Sequence, residues 1–494
     1  MGLVVACQLA VPVFAQTGTT QSSSETTQTQ QTESTSDTTQ TEGTTSGTTS
    51  TTETDANKTA ENTATALPAI NSDSYIVMNA ETGQVLISKN PDKKKYAASI
   101  TKILTTATAL NYVDPESDYT VTTEDVFPTY PNEYKFSDGT YVAITQDEVV
   151  KVRDLLYGTM IQSANDTANA LADCAAKLAN RSVGEFIGGS IEKFVLMMNE
   201  KAKELGCVNS NFVNPHGLYN ENQYTTAYDM ALITRYALTT PDFLQYFSQT
   251  EYTMEPTNKQ PQPRNWGRVK EGMMEPSNEN YYEGTIGVKL GYLTESNHTG
   301  VSVVERDGVR LICVALNCTG SNAYAVQKDM INLFDYCYNN FTPVTYTAAE
   351  LAHENYKTPV YDKRGEDSTL IGTATYSTDS DFTVLIHKNY TKDDIVMTSD
   401  IPGRYYQDED MPSTLTFSMN PTTAADASQY MVPNMAALKL QVKVVTFSEI
   451  EAQKQAARKE LFNKIFNVIK IILIIFLVLV VLLLGILLLA VLCS

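Results

Sequence analysis

Apolar and polar positions change texture several times along the chain. Between Gln16 and Ala66 almost nothing is apolar, as in "TQSSSETTQTQQTESTSDTTQTEGTTSGTTSTTETD". A stretch with so little to bury cannot offset its ordering entropy, so residues 16–66 are read as a disordered spacer. Folded sequence begins at Leu67. The apolar runs Tyr75 to Met78 and Val85 to Ser88 flank the turn-rich "NAETGQ" and predict a hairpin. "YAASITKILTTATAL" turns from a lysine-rich approach into an apolar helix. "VKVRDLLYGTMIQSANDTANALADCAAKLAN" has helical spacing on both sides of a polar "QSAND" break. "TTAYDMALITRYAL" opens with Thr226-x-x-Asp229, a capping-box start. "HTGVSVVERDGVRLICVALNC" reads as two strands around "ERDG", and "AYAVQKDMINLFDYCYNNF" returns to helical periodicity.

This succession predicts a mixed α/β (α+β) layer fold over residues 67–343, an antiparallel sheet flanked by helices. Beyond Pro343 come short strands and turns, including "STLIGTATYS", "DFTVLIHKNY" and "ALKLQVKVVTF", which predict a small β domain over 344–447.

The ends have their own pattern. "MGLVVACQLAVPVFAQ" joins an apolar run to a small-residue cleavage site, Val13-Phe14-Ala15, so residues 1–15 are read as a signal peptide. No basic residue precedes the run, as in a truncated leader. Lipid attachment at Cys7 is disfavoured by the few residues before it. Ile471 to Cys493 is uninterrupted and apolar. At ~1.5 Å per residue it covers roughly 35 Å, enough for a hydrocarbon core of about 30 Å. It predicts a transmembrane helix. Lys454, Arg458, Lys459, Lys464 and Lys470 precede this span. By the positive-inside rule they favour a cytoplasmic body, whereas a leader peptide predicts an exported one. The chemistry below favours export, and 448–470 is then read as a basic juxtamembrane segment on anionic membrane lipid.

Composition adds constraints. The 494 residues are 42% hydrophobic, enough for a full-sized core and more than one domain. A net charge of −21 with no basic domain argues against nucleic acid as a partner. Cys174, Cys207, Cys313, Cys318 and Cys337 are too sparse for a disulfide framework and are read as small buried hydrophobes. No His or Cys cluster has metal-ligand spacing, and no cofactor is implied.

Candidate chemistry starts at Ser99 and Lys102. Residues three apart on a helix share a face, so the amine can reach the hydroxyl, and a helix start favours a developing oxyanion. Alone, Ser-x-x-Lys is common in helices. Two further elements follow in chain order: Ser163-Ala164-Asn165 in the polar break, and Lys289-Leu290-Gly291 in the strand-like "GTIGVKLGYL", whose glycine permits close backbone approach by a substrate.

The order S-x-x-K, S-x-N, K-x-G resembles the active-site triplet of penicillin-recognising serine enzymes. With "NAETGQVLISKNPDKKKYAASITKILTTATAL", "QSANDTANALA" and "FVNPHGLYNENQYTTAYDMALITRYAL", the sequence from Ser74 to Phe341 resembles the serine-type D-Ala-D-Ala carboxypeptidases, the low-molecular-mass penicillin-binding proteins of peptidase family S11. That resemblance implies a β-lactamase-like domain, a small β domain and a carboxy-terminal membrane anchor. It makes Ser99 the nucleophile that forms an acyl-enzyme and Lys102 its base, with an amine kept neutral by burial and by the charge of Lys289. Ser163 would relay a proton to the leaving D-alanine, Asn165 would bind the substrate's peptide group, and Lys289 and Gly291 would complete the substrate site. His216 in "NPHG" is read as structural.

The implied partners are a peptidoglycan stem peptide and β-lactam inhibitors, met by a catalytic domain outside the cell membrane. The sequence departs from the family pattern at Leu290, where a threonine or serine usually contacts the terminal carboxylate. It also reads "LNCTG" where family members commonly carry an arginine. Two alternatives follow: a non-catalytic or weakly active wall-recognition protein, and a β-lactamase. The latter lacks its expected Glu-x-x-x-Asn between Asn165 and Thr225.

Overall fold

The computed structural model describes residues 66–126, 139–179, 189–268, 271–352, 357–420 and 434–492. The leader and nearly all of the spacer lie outside the described residues. The elements of the first domain run β1 Ser72–Asn79, β2 Val85–Lys89, a 3-10 turn Ala98–Thr101, α1 Lys102–Ala109, β3 Asp118–Thr120, α2 Thr123–Val126, β4 Val149–Lys151, α3 Val152–Ile161 and α4 Asn165–Leu178. They continue with α5 Ser190–Glu204, α6 Ala227–Thr239, α7 Phe243–Phe247, β5 Glu251–Met254, β6 Arg264–Gly267, β7 Thr285–Leu293, β8 Asn297–Arg306, β9 Val309–Cys318 and α8 Ala323–Asn340.

The central sheet has the order β2-β1-β9-β8-β7 and is antiparallel throughout. Alternation along its strands supplies two cores. One face sends Ile76, Met78, Val301, Val303, Ile312 and Val314 into the helical layer. The other sends Val77, Val288, Leu290, Val304 and Leu311 against Met330 and Phe334 of α8. The predicted β8–β9 hairpin closes through Asp307 and Gly308, both at positive φ (50° and 77°), as a tight two-residue hairpin turn requires. Every residue of α1 is buried, so this helix has no solvated face. At α6, Thr226 accepts the Asp229 amide at 3.0 Å as expected. The Asp229 carboxylate interacts with the Thr226 side chain but does not complete a capping box. It also accepts from the Asn209 amide (3.0 Å) and the Ser210 hydroxyl (2.7 Å) of a nearby loop. Among the described residues, Cys174, Cys207, Cys313, Cys318 and Cys337 are free and buried.

The second domain is β-rich. Its first strand, Phe341–Tyr346, pairs with Phe382–His387, so the change of texture at Pro343 falls inside a strand. Val360, Ala374, Val384 and Phe417 are wholly buried in its core. The domains meet at Gln84, whose buried side chain accepts the Leu385 amide at 2.8 Å and donates to the Leu385 carbonyl. The last element is one 46-residue helix, Phe447–Leu492, roughly 70 Å long. Its second half is long and apolar enough to cross a membrane. The juxtamembrane segment is the first half of this helix rather than a separate surface element.

The amino-terminal strand is fixed by one carboxylate. Asp329 of α8 is wholly buried and accepts from the Ser72 amide (2.7 Å), the Ser72 hydroxyl (2.6 Å), and the Asn71 amide and side chain (3.1 Å each). Asp329→Ala leaves buried donors unpaired and is expected to cost about 2–4 kcal/mol, read as a lowered urea midpoint at constant slope.

Candidate active site

The site forms where the 3-10 turn, the α3–α4 junction and β7 converge. Ser99 lies in the turn and Lys102 begins α1, an arrangement that brings Lys102 Nζ to 3.1 Å from Ser99 Oγ. Because α1 is buried on all sides, the Lys102 amine has no exposed surface. It is held by protein oxygens: Asn165 Oδ1 and the His216 carbonyl, each at 2.8 Å. Asn165 is the first residue of α4, and its amide donates to the Thr140 carbonyl at 2.8 Å, which fixes its position.

Ser163 occupies the break between α3 and α4 at φ 57°, in the left-handed region that non-glycine residues rarely adopt. Its hydroxyl is 2.8 Å from Lys289 Nζ, which also donates to the Leu290 carbonyl at 3.1 Å. Lys289 is wholly buried on β7. The structure therefore brings Ser99, Lys102, Ser163, Asn165 and Lys289 together as two linked amine–hydroxyl pairs.

Gly291 has a different reason from the one expected. A Cβ there would lie 2.8 Å from the Ser99 nitrogen and 2.6 Å from Thr299 Oγ1. The glycine lets β7 pack against the nucleophile's own turn. Leu290 faces away from this site. Its side chain is buried in the layer under α8, on the opposite face of β7 from Lys289 and Gly291.

The "NPHG" segment contributes more than the sequence suggests. His216 is buried, and its imidazole Nδ1 accepts the Leu218 amide at 3.2 Å, a structural role. Its backbone carbonyl, however, is a direct partner of Lys102. Gly217, at φ 91°, lies where a Cβ would strike the Ala98 carbonyl at 1.9 Å. Asn214 Oδ1 accepts the Gly217 amide (2.7 Å), holding this loop against the Ser99 turn. A backbone acceptor has no side-chain signature, and the motif's glycine was its one trace in the sequence.

Electrostatics fit a base at Lys102. Burial, and then the charge of Lys289, hold its amine well below the usual lysine range, with Asp166 opposing. Burial pushes the Asp166 carboxyl up against the amide hydrogen bonds it accepts, including those from Val142, Thr167 and Ile144. Such an arrangement can deprotonate a serine, deliver a second proton through Ser163–Lys289 and keep positive charge beside a bound anion.

With the geometry in place, similarity to known proteins decides the family. The family model described as D-alanyl-D-alanine carboxypeptidase, peptidase S11, matches residues 59–320. The chain belongs to this family. It is 30% identical over 253 residues to D-alanyl-D-alanine carboxypeptidase DacF of Bacillus subtilis, covering 50% of this chain and 57% of that protein. It is also 30% identical over 262 residues to D-alanyl-D-alanine carboxypeptidase DacC of Escherichia coli, covering 52% and 59%. The chain thus spans less than two thirds of the length of these relatives. Penicillin binding protein 5 of Haemophilus influenzae has a similar fold, with a TM-score of 0.56 at 20% identity over 77% of this chain and 99% of its own.

A pH experiment tests the origin of the Lys102 shift. An amine acts as base only above its pKa, so acylation is expected to rise with pH along a limb well below the ordinary lysine value. In Lys289→Gln the second depressing charge is gone. The limb is expected to move to higher pH, beyond any loss of overall rate. An unmoved limb would assign the shift to burial alone.

Proposed function

We propose that this chain is a serine-type D-Ala-D-Ala carboxypeptidase that removes the terminal D-alanine from peptidoglycan stem peptides through an acyl-enzyme. The observation that carries this reading is the wholly buried Lys102 amine 3.1 Å from Ser99 Oγ. In acylation, neutral Lys102 takes the Ser99 hydroxyl proton as Oγ attacks the penultimate D-alanine carbonyl. The Ser99 amide, at the head of its turn, is a donor for the oxyanion. Ser163 passes its proton to the departing D-alanine nitrogen and is reprotonated from the Lys102–Lys289 network. The Lys289 ammonium offsets the charge of the D-alanine carboxylate. Water then attacks the ester, with the same network returning the proton to Ser99. Asn165 orders the Lys102 amine through its oxygen. A β-lactam presents its strained amide to the same nucleophile and is the corresponding inhibitor.

This reading places the body outside the cell, held by the Phe447–Leu492 helix, with the lysines and arginine before the span meeting anionic lipid. Support comes from the membrane-length helix and from the peptidoglycan chemistry of the proposed substrate. One observation favours a weaker activity. The Leu290 side chain lies under α8, on the face of β7 away from Lys289, so this position supplies no hydroxyl to the substrate carboxylate. A missing charge-assisted hydrogen bond is worth about 1.5–3 kcal/mol, roughly ten- to a hundred-fold.

A fluorescent penicillin is expected to label the protein, with labelling lost in Ser99→Ala and reduced at least about a thousand-fold in Lys102→Ala. The purified protein is expected to release D-alanine from a pentapeptide. Labelling without release would support the weakly active reading, and full labelling of Ser99→Ala would overturn both.

Topology has a separate test. Protease added outside spheroplasts should digest the body, and deletion of residues 471–494 should release it to the medium. A protected body would place it away from its proposed substrate.

A further inference from the structure

The Ser163–Lys289 end of the site is closed by a segment that has no part in the chemistry above. Gly267 ends β6, and Arg268 follows it. The Gly267 carbonyl accepts from the side-chain amide of Gln162, the residue before Ser163, at 2.8 Å. Arg268 Nη1 donates to the carbonyl of Val288, the residue before Lys289, at 2.7 Å. Ser163 Oγ and Lys289 Nζ are themselves 2.8 Å apart. Two adjacent residues therefore bridge the α3–α4 junction and β7, directly behind the pair that serves the leaving group.

This bridge is fixed. The Arg268 amide donates to the Thr250 carbonyl at 2.8 Å. Its Nε donates to the Gln249 carbonyl (2.7 Å), and its Nη2 to the carbonyls of Phe247 (2.9 Å) and, more distantly, Tyr246 (3.4 Å). Among the described residues no carboxylate forms an ion pair with it, and Glu271 acts on it only through space. A planar fork held by carbonyls of α7, of the segment after it and of β7 has little freedom to swing aside.

The position matters because β7 is an edge strand. Val288 and Leu290 are two residues apart, so their carbonyls point to the same side of the strand. Arg268 takes the first and Lys289 Nζ takes the second, at 3.1 Å. An extended peptide lying on this edge finds it occupied on the amino-terminal side of Gly291, the residue packed against the Ser99 turn. From Gly291 back to Val288 the strand covers roughly 10 Å. One leaving residue, ~3.5 Å long, fits before the guanidinium, whereas two, at ~7 Å, bring the chain into contact with it.

We propose that Arg268 is a specificity-determining residue: its guanidinium, bridging α7 and β7 behind Ser163 and Lys289, limits the leaving side of the substrate to a single residue. A peptide extended beyond the terminal D-alanine is excluded by an obstacle rather than by a missing attraction. The inference rests on the carboxypeptidase reading for the direction of the peptide.

Turnover by the full-length protein in detergent tests it. The probes are Nα,Nε-diacetyl-Lys-D-Ala-D-Ala, its carboxamide, and the same peptide lengthened by a carboxy-terminal glycine. The carboxamide shows what loss of the carboxylate costs at unchanged chain length. In the native protein kcat/KM for release of D-alanylglycine is expected to be at least about tenfold below that for release of D-alaninamide. In Arg268→Ala the lengthened peptide is expected to rise to within about threefold of the carboxamide. A merely structural role would slow both peptides alike and leave their ratio in place. Arg268→Lys, which keeps the charge and loses the fork, is expected to move the ratio the same way by less, and it serves if the alanine variant does not fold. A carboxamide as poor as the lengthened peptide in the native protein, or a ratio unmoved by the substitutions, would overturn the stop. So would an Arg268→Ala effect confined to the free acid, which would make the guanidinium a reader of the terminal carboxylate. Those results leave the carboxypeptidase reading standing, whereas no release from any probe by the native protein would overturn that reading and the stop with it.

Discussion

An amine with no contact with water governs the rest of this molecule. Lys102 can serve as a base because solvation of its charged form has been removed and Lys289 adds repulsion. Removing that solvation requires a helix buried on every side. α1 meets this condition because α3, α4, α5 and α6 enclose it within the helical layer. A buried amine still needs acceptors, and Asn165 Oδ1 and the His216 carbonyl supply them. The layered fold and the "NPHG" loop are in this sense conditions for one proton transfer.

The second amine works differently. Lys289 stands on an edge strand, and its partner hydroxyl is carried by a residue in a sparsely populated backbone conformation. A serine at φ 57° persists only where its surroundings determine it, here by packing between two buried helices. The strain directs the hydroxyl to Lys289 from a junction that a regular helix would have closed.

Much of this arrangement was legible in the sequence because it depends on periodicity and short-range spacing. The first hairpin, the "QSAND" break and the Lys289 strand all follow from local pattern, and Ser99–Lys102 from one helical turn. Less legible were features set by tertiary contact. The partner of Lys102 at residue 216 is a carbonyl, which every residue carries. Asp229 completes no capping box and also binds loop donors at 209 and 210 that no local rule brings near. Gly291 signalled close approach correctly, but only the fold shows that the approaching atom belongs to Ser99. The face on which Leu290 lies follows from strand alternation once the register with β8 is known.

The Gln84 side chain at the domain junction acts as an artificial peptide unit. Its amide gives and receives one hydrogen bond with Leu385, as a neighbouring strand would. The strand Phe382–His387 is paired on its other side with Phe341–Tyr346 in a two-stranded sheet. A single residue from the first domain thus stops the lateral growth of a sheet in the second. Exposed strand edges are templates for self-association, and here one is blunted in trans, so the small domain's resistance to aggregation is borrowed from its neighbour.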